Sequence, residues 1–558
     1  MRFALSFRRT AYALSPVLVI GWSRASAQQS SLSGGDLAAR IDRIFAWYTP
    51  DRPGCGVGLA KNGRPLYIRA YGASNLEYRV PNSDSTVFES GSVAKQFTAS
   101  AILALQADGK LSLDDDIRKY LPEVPSFGGQ KITIRHLLTH TSGLRDQWGL
   151  LGIEGRGPGT QVHSALTTLD LMAHQKMLNF PPGSRYLYSN TGYALAGLIV
   201  QRVSGKSLDA FMQERFFRPL GMTHTQWRDD YTKVVPNRAT AYSGTDGAYH
   251  QDMPFTNMIG NGGVLSTMGD LMIWNENLDN PRVGGADYAR AIQTSMTLTS
   301  GRKIPYALGL INGSFDGVRE VAHDGSTAGY RTFLARYPDQ HVSVAIWCNY
   351  AGAEPASLGH QVASLVLTKP APVAHQASTD RVDVPASAIA QWAGTYRDDF
   401  TNQTIVLRAT SSALTAPSGR GTAQWLPRGD ARFSSPQGDA EFSRADGKRS
   451  FVLVRAGADT SRFVEVPPAA SPVPNRDYVG TYVSDELDVQ LIVAERDGKL
   501  VLRRRPADEL ELRPAYRDDF QASGGLGSLL FARDARGAVT GFSIYAGRVL
   551  DVRFSRVK

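Results

Sequence analysis

With 558 residues, of which 42% are hydrophobic and 20% charged, the chain is long enough for several globular domains, and its composition excludes a largely disordered protein. The formal net charge of +9 falls to +5 once the four arginines near the N-terminus are set aside, so no nucleic-acid partner is indicated. The densest basic run, at 503–505, is followed closely by acidic residues and predicts a solvated strand.

The first 27 residues have the pattern of a secretory signal peptide. Basic residues precede an apolar stretch from 10 to 22, and Ala25-Ser26-Ala27 fits a cleavage site. The alternative is a membrane anchor, but the stretch is shorter than the roughly 20 residues that a spanning helix needs. We therefore expect a mature chain that starts near Gln28, has no stable membrane span, and is periplasmic or secreted by the Sec or the twin-arginine route.

Residues 28–370 combine helical and strand patterns and are expected to form one domain. An amphipathic helix is predicted from 33 to 47, and a β-hairpin from 55 to 71 turns at Asn62-Gly63. The interval 149–161 is rich in glycine and lacks periodicity, so it is predicted to be a mobile loop near the cleft. Further strands are predicted at 318–323, 330–337 and 342–349, and further helices at 194–202, 208–217 and 356–367.

The pattern changes beyond this domain. Residues 371–385, with Pro372 and Pro385 among small and polar residues, indicate a linker. After it, Trp392-Ala-Gly-Thr-Tyr396 recurs as Tyr478-Val-Gly-Thr-Tyr482, and a similar hairpin follows each copy. Two small antiparallel β-barrel-like repeats, at 386–470 and 471–558, are the simplest interpretation, and one large β-sandwich is the alternative.

Ser92 and Lys95 lie three residues apart at the start of a predicted buried helix. Residues at i and i+3 share a helix face, so the Lys95 side chain can reach the Ser92 hydroxyl. A serine is a weak nucleophile without a neighbouring base, and a lysine becomes such a base when burial and a second cation disfavour its charge. Alone, this spacing is weak evidence, because a surface lysine after an N-capping serine is more common.

Two later motifs, Tyr188-Ser-Asn190 and His323-Asp-Gly325, carry side chains that suit the same reaction. Tyr188 can relay a proton between nucleophile and leaving group, with a nearby lysine maintaining its phenolate character, and Asn190 suits a substrate carbonyl. His323 offers a second ionisable donor. The alternatives are a packing tyrosine and a satisfied strand-end histidine, and His140 is more simply explained as structural.

In this order and spacing the three motifs resemble those of the penicillin-recognising serine hydrolases, which include class C β-lactamases, serine D,D-carboxypeptidases, D-aminopeptidases and β-lactamase-like esterases. The resemblance covers about residues 33–368, and the two trailing repeats make the architecture most similar to the D-aminopeptidases. It implies an α/β (α+β) hydrolase domain with a central antiparallel sheet flanked by helices. It implies no metal and no organic cofactor.

The resemblance also implies roles for the site residues. Ser92 would be acylated, while Lys95 and Tyr188 would manage protons. The substrate would be bound by Asn190, His323 and Gly325. The oxyanion hole would be formed by the backbone N–H groups of Ser92 and Ser326. His323 stands where class C β-lactamases carry the lysine of Lys-Thr-Gly, so strong β-lactamase activity is not expected.

The two cysteines, Cys55 and Cys348, are compatible with either a disulfide or two buried free thiols. In the sheet of the family that the motifs resemble, the strands that hold them are antiparallel neighbours. The resemblance therefore implies that their Cα atoms lie within about 7 Å, the limit for a disulfide.

We expect an exported serine hydrolase that acts through an acyl-enzyme on small peptides or amides with a D-residue, as D-aminopeptidases and D,D-peptidases do. The alternatives are a carboxylesterase, then a weak β-lactamase, and, outside the enzymes, a penicillin-binding-like sensor. Beyond Trp392 no comparable set of side chains appears, so the C-terminal repeats are expected to control access to the cleft and to supply no chemistry.

Overall fold

The computed structural model describes residues 34–370, 382–418, 421–454, 460–469, 473–505 and 508–557. The expected signal peptide (1–27) and most of the expected linker (371–385) lie outside these residues. No helix within the described ranges is long and apolar enough to cross a membrane.

The N-terminal domain contains helices and strands in mixed order. Its helices are α1 (Gly34–Ile44), α2 (Ala94–Ala107), α3 (Ile134–Leu138), α4 (Gln147–Glu154), α5 (Ala165–His174), α6 (Asn190–Ser204), α7 (Leu208–Met212), α8 (Arg218–Leu220), α9 (Met268–Asp279), α10 (Gly285–Ile292) and α11 (Pro355–Ser364). Its strands are β1 (Cys55–Lys61), β2 (Arg64–Tyr71), β3 (Ala73–Asn75), β4 (Val80–Pro81), β5 (Phe88–Glu89), β6 (Gln226–Trp227), β7 (Tyr242–Thr245), β8 (Ala248–Gln251), β9 (Val264–Ser266), β10 (Ile311–Phe315), β11 (Val318–Thr327), β12 (Tyr330–Tyr337) and β13 (Val342–Cys348).

Six of these strands form one antiparallel sheet in the order β10-β11-β12-β13-β1-β2. The hairpin between β1 and β2 turns at Asn62-Gly63, where both residues have positive φ, as the twist of a two-residue hairpin requires. Helices α1 and α11 cover one face of the sheet, and α9 covers the other. The predicted fold, a central antiparallel sheet flanked by helices, is confirmed.

Close packing behind the sheet fixes the position of α2. Gly56 and Gly58 of β1 face Met268 and Met272 of α9, and a Cβ at Gly56 would lie 2.9 Å from Met268 Cγ. On the far side of α9, the ring of Trp274 lies 4.2 Å from that of Phe97 in α2. Helix α2 is consequently buried on all sides from Ala94 to Leu105.

The interval 149–161 is not a loop throughout, which corrects the prediction from its glycine content. Its first part belongs to α4, which begins where the Asp146 carboxylate accepts a hydrogen bond from the Trp148 N–H and ends at Gly155, with φ 79°. Gly149 lies so close to the C-terminal part of the chain that a Cβ there would meet Val549 Cγ2 at 2.5 Å. Helix α4 has only eight residues and packs against a distant part of the chain, so its sequence shows no helical periodicity of hydrophobic residues.

The remaining chain forms two closed eight-stranded antiparallel barrels, which confirms the two repeats and excludes the single sandwich. The first barrel follows α12 (Ala386–Ala390) and consists of β14 (Gly394–Asp398), β15 (Thr404–Ala409), β16 (Leu414–Ser418), β17 (Gly421–Pro427), β18 (Arg432–Ser435), β19 (Gly438–Ala445), β20 (Lys448–Val454) and β21 (Ser461–Glu465). The second follows α13 (Asn475–Tyr478) and consists of β22 (Gly480–Ser484), β23 (Val489–Arg496), β24 (Lys499–Arg504), β25 (Asp508–Tyr516), β26 (Asp519–Ala522), β27 (Gly527–Arg533), β28 (Val539–Ala546) and β29 (Val549–Arg556).

The repeated pentapeptide has the same structural role in both barrels. The Tyr396 hydroxyl donates to the Trp392 carbonyl at 2.9 Å, and the Tyr482 hydroxyl donates to the Tyr478 carbonyl at 2.6 Å. Each tyrosine is buried and joins the first strand of its barrel to the chain at the end of the preceding short helix: Tyr478 is the last residue of α13, and Trp392 lies two residues after α12. The repeated pentapeptide thus encodes the same corner in both barrels, the contact between this tyrosine hydroxyl and the carbonyl four residues earlier.

The second barrel is docked on the N-terminal domain through a buried cation. The Arg145 side chain is 0% exposed and pairs with Glu486 of the barrel. It also donates to the carbonyls of Leu550 and Asp551 in β29. Because Arg145 immediately precedes Asp146, the barrel is attached directly beside the cap of α4.

Cys55 and Cys348 lie opposite each other in the β1–β13 register and are joined by a disulfide. Their Cα atoms are 3.9 Å apart, within the reach that the resemblance implied. The bond connects the first strand of the sheet to the last strand of the domain.

Candidate active site

Ser92 and Lys95 face each other at the start of α2. A short 3₁₀ turn, Gly91–Val93, leads into the helix, and Lys95 Nζ lies 3.0 Å from Ser92 Oγ. The Lys95 side chain is 0% exposed and also donates to Asn190 Oδ1 and to the Asn261 carbonyl, both at 2.9 Å. The last two partners only accept, so a neutral Lys95 would direct its lone pair at the Ser92 hydroxyl.

Burial determines the charge of Lys95. The pKa of its ammonium is lowered to about 7: loss of hydration is the largest cause, the nearby Arg548 guanidinium acts in the same direction, and Asp146 and Asp324 oppose the shift. A substantial fraction of Lys95 is therefore neutral near pH 7, as a general base must be.

The Asn190 side chain that contacts Lys95 is itself held by the carboxylate of Asp146, a residue outside the three motifs. Asp146 Oδ2 accepts from the Asn190 backbone N–H at 2.7 Å and from Asn190 Nδ2 at 2.9 Å. This fixes the orientation of the Asn190 amide, so its oxygen points at Lys95 Nζ. Asp146 was not identified from the sequence because it lies in no spacing pattern, and the Asn261 contact is made by the backbone, which the residue type does not reveal.

Tyr188 lies in a cluster of aromatic rings beside the lysine. Its ring centroid is 4.0 Å from that of His140, and Lys95 Nζ lies 4.9 Å from it. Burial raises the pKa of the Tyr188 phenol well above its usual value, although the Ser92 hydroxyl and Arg548 act in the opposite direction. The phenolate character expected for Tyr188 is therefore corrected: it is a neutral phenol, and Lys95 is the better base.

His140 supports this ring, in line with a structural role. It is 1% exposed, and its Nδ1 accepts from the Ser189 N–H at 3.1 Å. Burial and the cation of Lys95 lower its pKa well below the usual value, so it is neutral. Its ring fixes the segment that carries Tyr188.

His323 lines the cleft but does not offer an ionisable donor, which corrects the expectation from the sequence. Its Nδ1 lies 2.6 Å from the Asp324 carbonyl, and its Nε2 lies 3.0 Å from the Tyr306 hydroxyl. Burial and the charge of Lys95 lower its pKa to about 4. His323 is thus neutral near pH 7, with Nδ1–H donating to the carbonyl and Nε2 accepting from Tyr306.

Two glycines bring β11 against the nucleophile turn. A Cβ at Gly91 would lie 2.5 Å from the Ser326 nitrogen, and a Cβ at Gly325 would lie 2.2 Å from the Ser90 carbonyl oxygen and 3.0 Å from the Ser92 nitrogen. Only glycine permits this approach. The backbone nitrogens of Ser92 and Ser326 are thereby both brought to the contact between β11 and the nucleophile turn.

These residues line one cleft of about 760 Å³. Ser92, Tyr188, Asn190, His323 and Gly325 all contribute to its wall, so the structure brings together the predicted residues around the buried Lys95. Its lining also includes the buried ion pair of Glu89 and Arg228, in which Oε1 of the glutamate lies 2.8 Å from Nη2 of the arginine. The remaining lining residues are Gly91, Trp148, Pro158, Gly159, Tyr186, Asp252, Met253, Pro254, Phe255, Thr256, Met258, Asn261, Gly262, Gly263, Ile311, Asp324, Ser326, Thr327, Ala328 and Arg548.

One wall residue, Arg548, comes from the second barrel. It lies at the turn between β28 and β29, and its guanidinium carbon is 4.5 Å from the centroid of the Tyr188 ring. Nothing near Arg548 in sequence indicated this position, because the contact depends on how the barrel docks.

Known proteins are similar to this chain. The D-aminopeptidase of Brucella anthropi is 25% identical over 530 residues, which cover 91% of this chain and 96% of that protein. Among solved structures, the octameric penicillin-binding protein homologue from Pyrococcus abyssi is 24% identical with a TM-score of 0.54, over 78% of this chain and all of that one. A D-stereospecific amidohydrolase from Streptomyces sp. is 24% identical with a TM-score of 0.50, over 59% of this chain and 98% of that one.

These two solved structures support the fold. The family profile that matches this sequence is Beta-lactamase, and the match runs from residue 40 to residue 367. It spans more than half of the chain and contains all three motifs. The protein therefore belongs to the beta-lactamase family and is a serine hydrolase.

Proposed function

We propose that this protein hydrolyses the amide bond of D-amino acid amides and of small peptides that carry a D-residue, through an acyl-enzyme on Ser92. The observation that carries the acyl-enzyme is the buried Lys95 amine, with a pKa of about 7, at 3.0 Å from Ser92 Oγ. The preference for a D-residue is supported by the similarity to a D-aminopeptidase over 91% of this chain.

Acylation begins when the neutral Lys95 amine takes the proton of the Ser92 hydroxyl and Ser92 Oγ attacks the substrate carbonyl. The oxygen of that carbonyl gains a negative charge, which the backbone N–H groups of Ser92 and Ser326 stabilise. When the intermediate collapses, the bond to the amine breaks, and Lys95 returns the proton to the leaving nitrogen, directly or through the neutral Tyr188 hydroxyl.

Deacylation repeats these steps with water as the nucleophile. Lys95 accepts a proton from the water, the hydroxide attacks the ester carbonyl, and Ser92 Oγ leaves with the proton returned by Lys95. Asn190 and the Asn261 carbonyl hold Nζ in place throughout. The products are a free D-amino acid or peptide acid and an amine.

The pH dependence follows from the charge of Lys95. Only the neutral amine accepts the Ser92 proton, so kcat/KM should rise about tenfold per pH unit below about pH 7 and level off above it. Steady-state kinetics with p-nitrophenyl acetate, which has no ionisable group, would measure this from about pH 5 to about pH 9. A profile that falls as the pH rises through this range would contradict Lys95 as the base.

The choice of substrate is tested with D- and L-alanine p-nitroanilide. We expect kcat/KM to favour the D-form by at least about a hundredfold, since a pocket that orients the α-carbon presents the wrong face of the L-form to Ser92. Short p-nitrophenyl esters and nitrocefin test the carboxylesterase and the β-lactamase in the same assay. Equal rates for both enantiomers, together with faster ester hydrolysis, would overturn the proposal in favour of the esterase.

A further inference from the structure

The turn between β28 and β29 is held rigidly at the mouth of the cleft. The carbonyl of Arg548 accepts from Asn179 Nδ2 at 3.0 Å, and the Leu550 N–H donates to Asn179 Oδ1 at 2.9 Å. On the other side, Val549 packs against Gly149 of α4. The backbone of Arg548 is therefore fixed, while its side chain is exposed to the cleft.

The guanidinium of Arg548 has no partner for its N–H groups among the described residues. It lies over the Tyr188 ring but forms no hydrogen bond or ion pair there. Elsewhere in the same barrel, Arg504, Arg533 and Arg553 each pair with an aspartate. Stacking on a ring uses the face of the guanidinium and leaves the donors along its edge available.

Within the ranges that the structure describes, the acidic groups of the cleft do not pair with the Arg548 guanidinium, and the other cations of the cleft already have partners. Glu89 is already shared by Arg228 and Arg238. Asp252 and Asp324 also line the cleft, and neither forms an ion pair with Arg548 in the part of the chain that the structure describes. Lys95, the other cation nearby, is held by three acceptors. Arg548 is thus the cation of the cleft that is available to a ligand.

We propose that Arg548 is a specificity-determining residue that binds a carboxylate of the substrate while Ser92 attacks a neighbouring carbonyl. A planar guanidinium accepts a carboxylate in a bidentate arrangement, which a hydroxyl or an amide does not reproduce. The carboxylate can belong to the acyl group, as in a D-glutamyl side chain, or to the leaving group, as at the end of a dipeptide. The inference rests on the proposed acyl transfer at Ser92 but not on the D-configuration.

Two matched substrate pairs test the proposal on the full chain. D-Glutamic acid α-p-nitroanilide against D-glutamine p-nitroanilide places the carboxylate in the acyl group. D-Alanyl-glycine against D-alanyl-glycinamide places it in the leaving group. We expect the acidic member of one pair to have the higher kcat/KM, and the Arg548→Gln change to lower that ratio by about tenfold to a hundredfold. The pair that responds identifies the side on which the carboxylate is bound.

Further variants separate charge from shape. Arg548→Lys keeps the charge without the planar fork and should recover only part of the ratio. Arg536→Gln, three residues before β28, is the matched control and should leave both ratios unchanged, because its side chain is 91% exposed and, among the described residues, pairs with Asp534 alone. Calorimetric binding of D-glutamate against D-glutamine makes the same comparison without turnover.

The outcomes are distinct from those that decide the proposed function. Ratios at or below one for both pairs in the native protein, or unchanged ratios for both pairs together with unchanged D-glutamate binding in Arg548→Gln, overturn the role of Arg548 even if D-substrates are preferred. If the L-forms of both pairs react as fast as the D-forms while the ratio still depends on Arg548, the D-specificity is wrong and the carboxylate site stands.

Discussion

Replacing Ser92 with alanine is expected to abolish acyl-enzyme formation, and replacing Lys95 with alanine is expected to lower kcat/KM by a factor of about 10³ to 10⁴. The first change removes the nucleophile. The second leaves a serine hydroxyl with no base in contact, since the other hydrogen-bond partners of Lys95 Nζ are Asn190 Oδ1 and the Asn261 carbonyl, neither of which accepts a proton at neutral pH.

The measurement is labelling of the intact protein with a fluorophosphonate, read by mass spectrometry, together with steady-state hydrolysis of p-nitrophenyl acetate. Lys110→Ala is the matched control, because this lysine follows the other end of α2 and is exposed. Covalent labelling of Ser92→Ala at the native rate would place the nucleophile elsewhere. A Lys95→Ala variant with near-native kcat/KM would show that another group is the base.

Replacing Glu486 with alanine is expected to destabilise the docking of the second barrel by about 3 kcal/mol. The change leaves the Arg145 guanidinium fully buried without its counter-ion, with only neutral carbonyl and amide acceptors. Asp485→Ala is the control in the adjacent position, since Asp485 is 80% exposed and pairs with the exposed Lys176. Loss of an exposed pair should cost less than about 1 kcal/mol.

The effect is measured as a shift of the urea midpoint of the transition that exposes the barrel interface. Replacing both partners, Arg145→Met with Glu486→Leu, should recover most of the stability, because no charge is then left buried. Equal midpoints for Glu486→Ala and Asp485→Ala would mean that this ion pair does not hold the barrel in place.

The helices, the hairpin and the barrels could be predicted because their signals are local. Asn62-Gly63 determines a turn by itself, and the repeated pentapeptide marks the same corner twice. The order of Ser92, Lys95, Tyr188 and His323 was likewise sufficient to predict one site. What these residues do in that site depends on burial, and burial reversed two expectations: it keeps Tyr188 a neutral phenol and His323 a neutral imidazole.

Contacts between distant segments could not be predicted. Asp146 caps α4 and also binds Asn190, 44 residues further along the chain, and α4 itself packs against the second barrel. Arg548 enters the cleft from the last hairpin of the chain and helps to lower the pKa of Lys95. The position of Arg548 agrees with the expectation that the repeats control access to the cleft, and its effect on the pKa of Lys95 adds to that expectation.

The pairing of β1 with β13 constrains the order in which the chain can fold. Cys55 and Cys348 are separated by 293 residues, yet their strands are direct neighbours in the sheet. During synthesis the sheet cannot be completed until β13 has emerged. Helix α2 and the segments after it are therefore synthesised before the complete sheet is present. Each barrel, in contrast, closes within its own short stretch of chain. Because contacts of long sequence separation form slowly, the N-terminal domain is expected to refold more slowly than either barrel.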